Sequence, residues 1–513
     1  MTESTLDDRR ELHDQLREQA LGMGGEKKLK TRAAAGILNA RERIDHLFDE
    51  DTFHEVGLFG VSHRPQMRDR TPADGKVTGF GQIAGNTVGV VSNDFTVLGA
   101  SSSRTNARKI KQVKRVAARQ GYPVVFLGES SGARMPDAMG AEGTVANSDD
   151  PIQYLRRRDS PWVSAVLGPC YGSSSWYASM SDFVVMRKGA VLAVSSPRLT
   201  EMATSENVDP EELGGWRVHA QDSGLVDVAV DTDEEALDLV KRFLSYLPNN
   251  RDEPPPVAAV PEGADDPARA ERIAALVPTS RNRVYNMRKV LECIVDPDSL
   301  FELKQLYGRP IITALARIDG QTVGIVASNP FVKGGAIDPE ACSKATSFLV
   351  LCDSFNVPLV FIADQPGFLI GKDGERKGAT GRVMNWMNAL SLVTVPRIAV
   401  VARKSYGQAL LNMGLGGNAD ETCAWTTAEI NFMDPRFGAR IVHGRDVIDD
   451  AERYEAAVAE MTQGTSAYDA AAAFAVGNVI DPRQTRAYLS AALRVHGRRV
   501  GEHHLANWPT TIY

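Results

Sequence analysis

The sequence predicts an α/β protein made by tandem duplication of one domain, and three observations carry that expectation. First, residues Ile83 to Gly132 lie on Ile318 to Gly367 at one constant offset of 235, without a gap. Gly85, Thr87, Val88 and Gly89 fall on Gly320, Thr322, Val323 and Gly324, and Pro123, Phe126 and Gly132 fall on Pro358, Phe361 and Gly367. Second, the same offset later carries Tyr171-Gly172 onto Tyr406-Gly407. Solenoid repeats run to ~20–50 residues, so this period marks two copies of a whole domain. Third, short β-rich runs alternate with helical stretches, the pattern of crossover units. At 513 residues the chain also exceeds one core, since single cores stop growing near ~250–300 residues.

The elements follow in order. Residues up to about Glu50 read as helical, with Arg9, Arg10, Arg17, Lys27, Lys28, Lys30 and Arg32 clustered before Ala40-Arg41-Glu42-Arg43-Ile44. That basic cluster fits a solvated helix face or an arm that meets phosphate. From Thr71 the β pattern begins: Thr87–Ser92, a helix over Thr105–Gln120, then Val124–Leu127, Trp162–Leu167 and Phe183–Val185. An amphipathic helix, Ala236–Tyr246, ends the first copy. The composition from Arg251 to about Pro278 is Pro-, Ala- and acid-rich, which reads as a linker. The second copy starts near Arg288 and runs through Thr322–Ala327, a helix over Glu340–Phe355, Leu359–Ile362 and Ile398–Val401. A helix Arg486–Val495 precedes a short tail. The expected division is 1–250, a linker over 251–285, and 286–513.

Composition excludes several classes. A formal charge of −7 is small for this length and gives no general case for nucleic acid. The charged start, Met1 to Glu18, is unlike a signal peptide, which needs an apolar stretch. No apolar run approaches the ~18–20 residues of a membrane span. Cys170, Cys293, Cys342, Cys352 and Cys423 show no metal-ligand spacing and are odd in number, so no disulfide framework or metal is expected. A cytoplasmic protein is the expectation. Walker-type loops, a G-x-G-x-x-G fingerprint, a two-His zinc helix and a G-x-S-x-G elbow are all missing.

Each copy repeats two loops. The first follows a buried strand: Gly128-Glu129-Ser130-Ser131-Gly132-Ala133-Arg134, matched by Ala363-Asp364-Gln365-Pro366-Gly367-Phe368. The second follows a later strand: Gly168-Pro169-Cys170-Tyr171-Gly172-Ser173, matched by Arg403-Lys404-Ser405-Tyr406-Gly407-Gln408-Ala409. A glycine turn that opens a helix gathers backbone N–H groups where partial positive charge collects. A pair of such donors can hold an oxyanion or an enolate. One such turn only bends the chain in most proteins; its recurrence at a fixed offset is what points to function.

At these residues the chain resembles the carboxyltransferase (β) subunits of biotin-dependent acyl-CoA carboxylases, of the propionyl-CoA carboxylase type. The resemblance rests on Ala40 to Ile44, Thr71-Pro72-Ala73-Asp74-Gly75, Asp94-Phe95-Thr96-Val97, Ser131-Gly132-Ala133-Arg134 and Gly168-Pro169-Cys170. It continues through Glu211 to Gly215, Leu244 to Pro248, Pro366-Gly367-Phe368-Leu369, Arg403-Lys404, Ala428-Glu429-Ile430 and Val479 to Arg483. It implies two crotonase (ClpP/crotonase-like) spiral domains and a homohexamer with active sites at dimer interfaces. The first domain would bind acyl-CoA and the second biotin, which a separate biotin carboxylase and biotin carrier must supply. No metal is implied. Backbone N–H groups of Gly172 and Ser173 would hold the thioester enolate, and those of Gln408 and Ala409 the biotin oxyanion. Ser131, Gly132, Ala133, Tyr171, Gly367, Phe368, Gly407 and Leu411 would line the substrate sites.

The chain departs from the family at those turns. Tyr171-Gly172-Ser173-Ser174 replaces the usual Ala-Gly-Gly-Ala, and Tyr406-Gly407-Gln408-Ala409-Leu410 replaces Tyr-Gly-Gly-Ala-Tyr. Leu411 occupies a selectivity position that is Asp in propionyl-preferring members. The alternatives are therefore decarboxylation of a carboxyacyl-CoA or transcarboxylation with an unusual substrate, and a non-catalytic partner subunit of a carboxylase complex. Glu129, where the family has Asp, is expected to brace its loop by accepting backbone N–H bonds, with a general acid, as in crotonase hydratases, as the other reading. His219 is expected to cap locally, Asp420 and Glu421 to face solvent or an interface, and Lys333 and Lys404 to be exposed or to meet phosphate.

Overall fold

The computed structural model describes residues 5–146, 155–497 and 500–508. Met1 to Ser4 and the end of the tail lie outside them. The chain forms two compact units, Met1–Arg251 and Asp252–Trp508.

The first unit holds β1 (His54–Glu55), β2 (Lys76–Ile83), β3 (Asn86–Asn93), β4 (Val124–Ser130), β5 (Trp162–Tyr171), β6 (Phe183–Arg187), β7 (Val191–Ala193) and β8 (Val228–Val230). They pair in the order β1-β2-β3-β4-β5-β6-β8, with β7 on the far end of β5. β1 to β3 are antiparallel, and from β3 onward every pairing is parallel. The parallel part demands crossovers. The first crossover is a helix over Arg104–Gln120, whose start is fixed by a capping box between Ser103 and Asn106. Its buried Ile110, Val113 and Ala117 pack against Val91, Val124 and Phe126 of the sheet.

The second unit holds β9 (Phe301–Leu303), β10 (Ile311–Ile318), β11 (Gln321–Ser328), β12 (Leu359–Gln365), β13 (Arg397–Tyr406), β14 (Glu421–Trp425), β15 (Glu429–Asn431) and β16 (Asn478–Ile480). Their order, β9-β10-β11-β12-β13-β14-β16 with β15 on β13, repeats the first sheet strand for strand. β2 to β5 and β10 to β13 even share their bounds at the constant offset. All seven residues of β12 are buried, as a central parallel strand covered on both faces requires. The crossover helix Pro339–Ser354 is buried nearly all round because a further helix, Ala379–Leu392, packs on it.

Composition marked 251–285 as a linker, but from Asp252 on this stretch is an ordered part of the second unit. Val257 bridges to Gln321, and a helix over Pro267–Leu276 buries Ile273 in the core with Met287, Val290 and Leu291. Its prolines sit at a helix start and in extended chain, where they cost nothing. The repeat loses register after β13. Between β15 and β16 the second unit carries α-helices Pro435–Val442, Ala451–Thr462 and Ala467–Ala472, where the first has α-helices Pro197–Thr204 and Pro210–Gly214 and a π-helical turn, Val218–Asp222, between β7 and β8.

Candidate active site

In the first unit, Tyr171 closes β5 and Gly172 turns the chain with φ 63° and ψ −130° into a helix, Ser173–Met180. That positive φ is open to glycine and strained for other residues. The first N–H groups of a helix find no carbonyl within it, so those of Ser173 and Ser174 are offered to whatever sits at the turn. The loop after β4 lies against it. A Cβ on Gly132 would stand 3.9 Å from Tyr171 Cβ, and one on Gly172 would stand 4.0 Å from Gly132 Cα. Ser102 bridges to Ala133 and shares a 3.2 Å hydrogen bond with the Ser173 hydroxyl. Gly132, Ala133, Tyr171, Gly172 and Ser173 therefore meet in one place, with exposed Ser131 beside them.

The second unit repeats the arrangement. Tyr406 closes β13, Gly407 turns with φ 63°, and Gln408, φ −64°, leads into a short helix, Ala409–Asn412. Here the Gly407 N–H is committed to Asn431 O at 3.0 Å. The turn's next amides are those of Gln408, whose side chain is exposed, and of buried Ala409. A Cβ on Gly367 would stand 4.0 Å from Tyr406 O. Gln365 Nε2 donates to that carbonyl at 3.2 Å, and Phe368 bridges to Ile337. Half-buried Leu411 stands within the short helix, its carbonyl accepting from Asn418 Nδ2 at 3.2 Å.

Behind each turn is a buried carboxylate. The strand pairings shift between Gly128 and Ser130 and between Ala363 and Gln365, so Glu129 and Asp364 occupy equivalent irregularities, which re-aim a side chain. Glu129 braces its loop, but its partners are guanidinium groups and not the backbone N–H groups expected. Arg32 Nη1 and Nη2 each donate to it at 2.9 Å, and Arg43 Nη1 donates at 2.8 Å. A bidentate fork holds a carboxylate more firmly than single amides do. Arg43 also pairs with Asp233 at 2.9 Å. Gly168 leaves the room for this, since a Cβ there would stand 2.5 Å from Glu129 Oε1.

Asp364 is held by Arg403 at 3.0 Å and, more loosely, by Lys404 at 3.7 Å. Arg403 Nη1 donates in addition to the carbonyls of Ser280 and Arg283, and its guanidinium lies 5.0 Å from the Tyr285 ring centre. Lys404, expected at the surface, is buried, and burial pushes its amine below the usual lysine range. Lys333 pairs with Asp338 at 2.7 Å. Asp420 accepts from the Arg397 N–H at 2.7 Å, and Glu421 meets His496 at 2.9 Å. His219 lies 2.6 Å from Leu192 O and 3.1 Å from the Ser223 hydroxyl, a local role as expected. Burial also raises the half-buried Tyr171 hydroxyl, with Cys170 adding to it.

Sequence reasoning missed Lys76. It opens β2, is only 2% exposed, and donates to Ala100 O at 2.9 Å. With Asn93, Ser102, Cys170, Ser173 and Ser174 it lines a cavity of about 20 Å³ behind the first turn. The constant offset sets Lys76 on Ile311, so a charge at a position that is apolar in the other copy was the available signal. In the second unit, the buried Ser328 and Ser405 hydroxyls, Gln365 Oε1 and the Asn412 amide make no hydrogen bond. Among the described residues no group of His, Cys, Asp and Glu could hold a metal ion, and no helix is long and apolar enough to cross a membrane.

Comparison with known proteins matches residues 31–503 to the carboxyl transferase domain. The propionyl-CoA carboxylase carboxyltransferase subunit of Haloferax mediterranei is 36% identical over 96% of each chain. The methylmalonyl-CoA decarboxylase subunit alpha of Veillonella parvula is 35% identical over 94% of each chain. Among solved structures, a hexameric transcarboxylase 12S with methylmalonyl-coenzyme A and methylmalonic acid bound is similar at a TM-score of 0.88, with 32% identity over 96% of each chain.

Proposed function

The chain belongs to the carboxyl transferase domain family, and from that premise we propose that it is the carboxyltransferase subunit of an acyl-CoA carboxylase. It transfers a carboxyl group from carboxybiotin to the α carbon of an acyl-CoA, through an enolate held by backbone N–H groups. The observation that carries this reading is the doubled turn: one glycine-led bend, met by one glycine loop, at the same strand end in both units. Two anions need two cradles, and the fold supplies two.

The roles follow. In the first unit the Gly172–Ser173 turn receives the thioester oxygen of the acyl-CoA, and Gly132 and Ala133 border it. As the α-proton leaves, negative charge grows on that oxygen, and preorganised N–H dipoles stabilise it without reorganisation. Tyr171 and Ser173, bulkier than the family's residues there, narrow the room for the acyl chain. Biotin, brought on a separate carrier protein, supplies the carboxyl group and the base. The second turn fits it: Gln408 and Ala409 offer donors, and the unpaired Gln365 and Ser405 oxygens lie on the adjacent paired residues. This chain's contribution is positioning and electrostatics; the hard chemistry belongs to the cofactor. The working state is a homohexamer, a reading supported by the 12S relative.

The test combines purified chain with an active biotin carboxylase and biotinylated carrier, ATP, labelled bicarbonate and a panel of short-chain acyl-CoAs. Label should enter one or more carboxyacyl-CoAs. No incorporation across the panel, with the partners shown active, rejects the reading. Sedimentation should give a hexamer; a stable monomer at micromolar concentration rejects that part.

A further inference from the structure

We propose that Lys76 is a positioning residue for this reaction: from behind the Gly172–Ser174 turn it supplies the positive charge that favours an anion at the turn's N–H groups. This rests on the reading of that turn as the enolate site.

Four observations support it. Lys76 shares its small cavity with the turn itself, through Ser173 and Ser174. The cavity, at about 20 Å³, has room for about one water, so no acyl chain enters and Lys76 acts through the turn. Its amine is tied to Ala100 O, the carbonyl that also accepts from Ser130 Oγ at 3.2 Å, which links it to the loop facing the turn. In the other copy the same strand position is Ile311, so the fold does not need a lysine there. An amine buried where an apolar side chain serves equally well calls for a functional reason.

The neighbouring charges leave it partly uncompensated. Facing it are Cys170 from β5, Asp74 from the preceding turn, Arg134 from the loop after β4, and Lys109 from the crossover helix. Asp74 is spent on Arg134, at 2.5 Å, and burial pushes the Cys170 thiol up to about 12, so it stays neutral. Burial lowers Lys76 itself to about 7. Its proton is therefore held weakly near neutral pH, and an anion at the turn pulls it back. Forming the anion then takes up a proton from solvent at Lys76, and discharging the anion releases it.

The test uses S-carboxymethyl-CoA, whose S-substituent carries a carboxylate throughout pH 6–9, with S-propyl-CoA, whose S-substituent is uncharged, as control, on the whole 513-residue chain. In wild type the anionic probe should bind with uptake of protons at pH 8, read by calorimetry in buffers of different ionisation enthalpy. Its affinity should fall as pH rises through 7. Lys76→Met should weaken the anionic probe by about 10- to 100-fold, less than loss of a direct oxyanion donor. It should abolish the proton uptake and move S-propyl-CoA by less than about threefold.

Stability gives the opposite sign. The folded value near 7 lies below the ordinary 10.5, so the unfolded state binds more protons between them, and wild-type stability rises with pH across that window. Lys76→Met should melt higher than wild type below pH 7, with the advantage shrinking toward pH 10. A lysine that only filled space would share this stability profile, but it would give neither the charge-selective loss of the anionic probe nor the proton uptake. If Ser173→Pro weakens the anionic probe and Lys76→Met does not, the role of Lys76 is overturned while the turn stands. If neither variant affects it, the turn is not the anion site, and both fail. Should Lys76→Met not fold, a pH-independent affinity in wild type alone would overturn the proposal.

Discussion

The two units share a backbone and differ in what is buried behind it. At the first turn a carboxylate is gripped by two arginines brought in from helices far back in sequence, and a lysine lines the cavity beneath. At the second, the carboxylate is gripped by residues of the adjacent strand, and the lysine's place is taken by Ile311. What duplication preserved is the amide geometry, which any sequence with the right glycines can keep. What diverged is buried charge. The difference teaches that the turns were kept alike while the side chains behind them diverged; in the proposed function the turns are the shared oxyanion cradles, and those side chains tune each for its own anion.

The largest effects should come from the arginines. Arg43 and Arg403 are both essentially inaccessible, and breaking a buried pair costs ~3–5 kcal/mol because a charge is stranded. The supports are unequal, however. Without Arg43, Glu129 keeps the Arg32 fork, and Asp233 keeps Arg187 at 3.2 Å. Without Arg403, Asp364 keeps only Lys404 at 3.7 Å among its ion pairs. Arg403→Met should therefore fall at the top of that range and Arg43→Met at the bottom or below. Hydrogen exchange resolved by unit, with urea denaturation, measures both. A larger loss for Arg43→Met would mean that the first unit's redundancy is not energetic.

Next come the donors. Proline deletes an N–H, and loss of one oxyanion donor typically costs ~10²–10³ in rate. The backbone allows the change at both sites. Ser173 is the first helical residue, where proline is tolerated, and Gln408 already has φ −64°, close to proline's own angle. Ser173→Pro and Gln408→Pro should both lose ~10²–10³ in kcat while melting within a few degrees of wild type. Retained activity in either would remove the amide mechanism for that unit. A loss confined to one would break the symmetry of the comparison.

How much of this was legible follows from the same contrast. The constant offset exposed the duplication because strand ends and turns fix glycine positions in both copies. It also located both turns and the loops that meet them. The pairing of Glu129 with Arg32 and Arg43 was illegible, since contacts 97 and 86 residues apart leave no local period. Lys76 was legible only as a mismatch against Ile311. Beyond Gly407 the constant offset breaks because the second unit takes more residues to reach β14 than the first takes to reach β6, and it breaks again in the longer connection from β15 to β16. The segment 251–285 misled because its proline and acid content hides a helix that buries one isoleucine.

The smallest expected effect concerns the side chains at the turns themselves. Ser173 Oγ meets Ser102 and is not required to make the amide available, and the Gln408 side chain is exposed. Ser173→Gly and Gln408→Gly should keep turnover within about tenfold, ~1.4 kcal/mol in the barrier. The glycine variant of the first unit should also accept longer or branched acyl-CoAs, because it widens the space beside Tyr171. That of the second should leave acyl preference unchanged, since its turn faces the carboxyl donor in the proposed division of labour. Acyl-CoA profiles of the two variants, measured side by side, test that asymmetry. If the second-unit variant shifts acyl preference and the first does not, the assignment of acyl-CoA to the first unit is reversed. If both are inactive though folded, the serine hydroxyl and glutamine amide take part in the chemistry, and backbone donors alone do not account for catalysis.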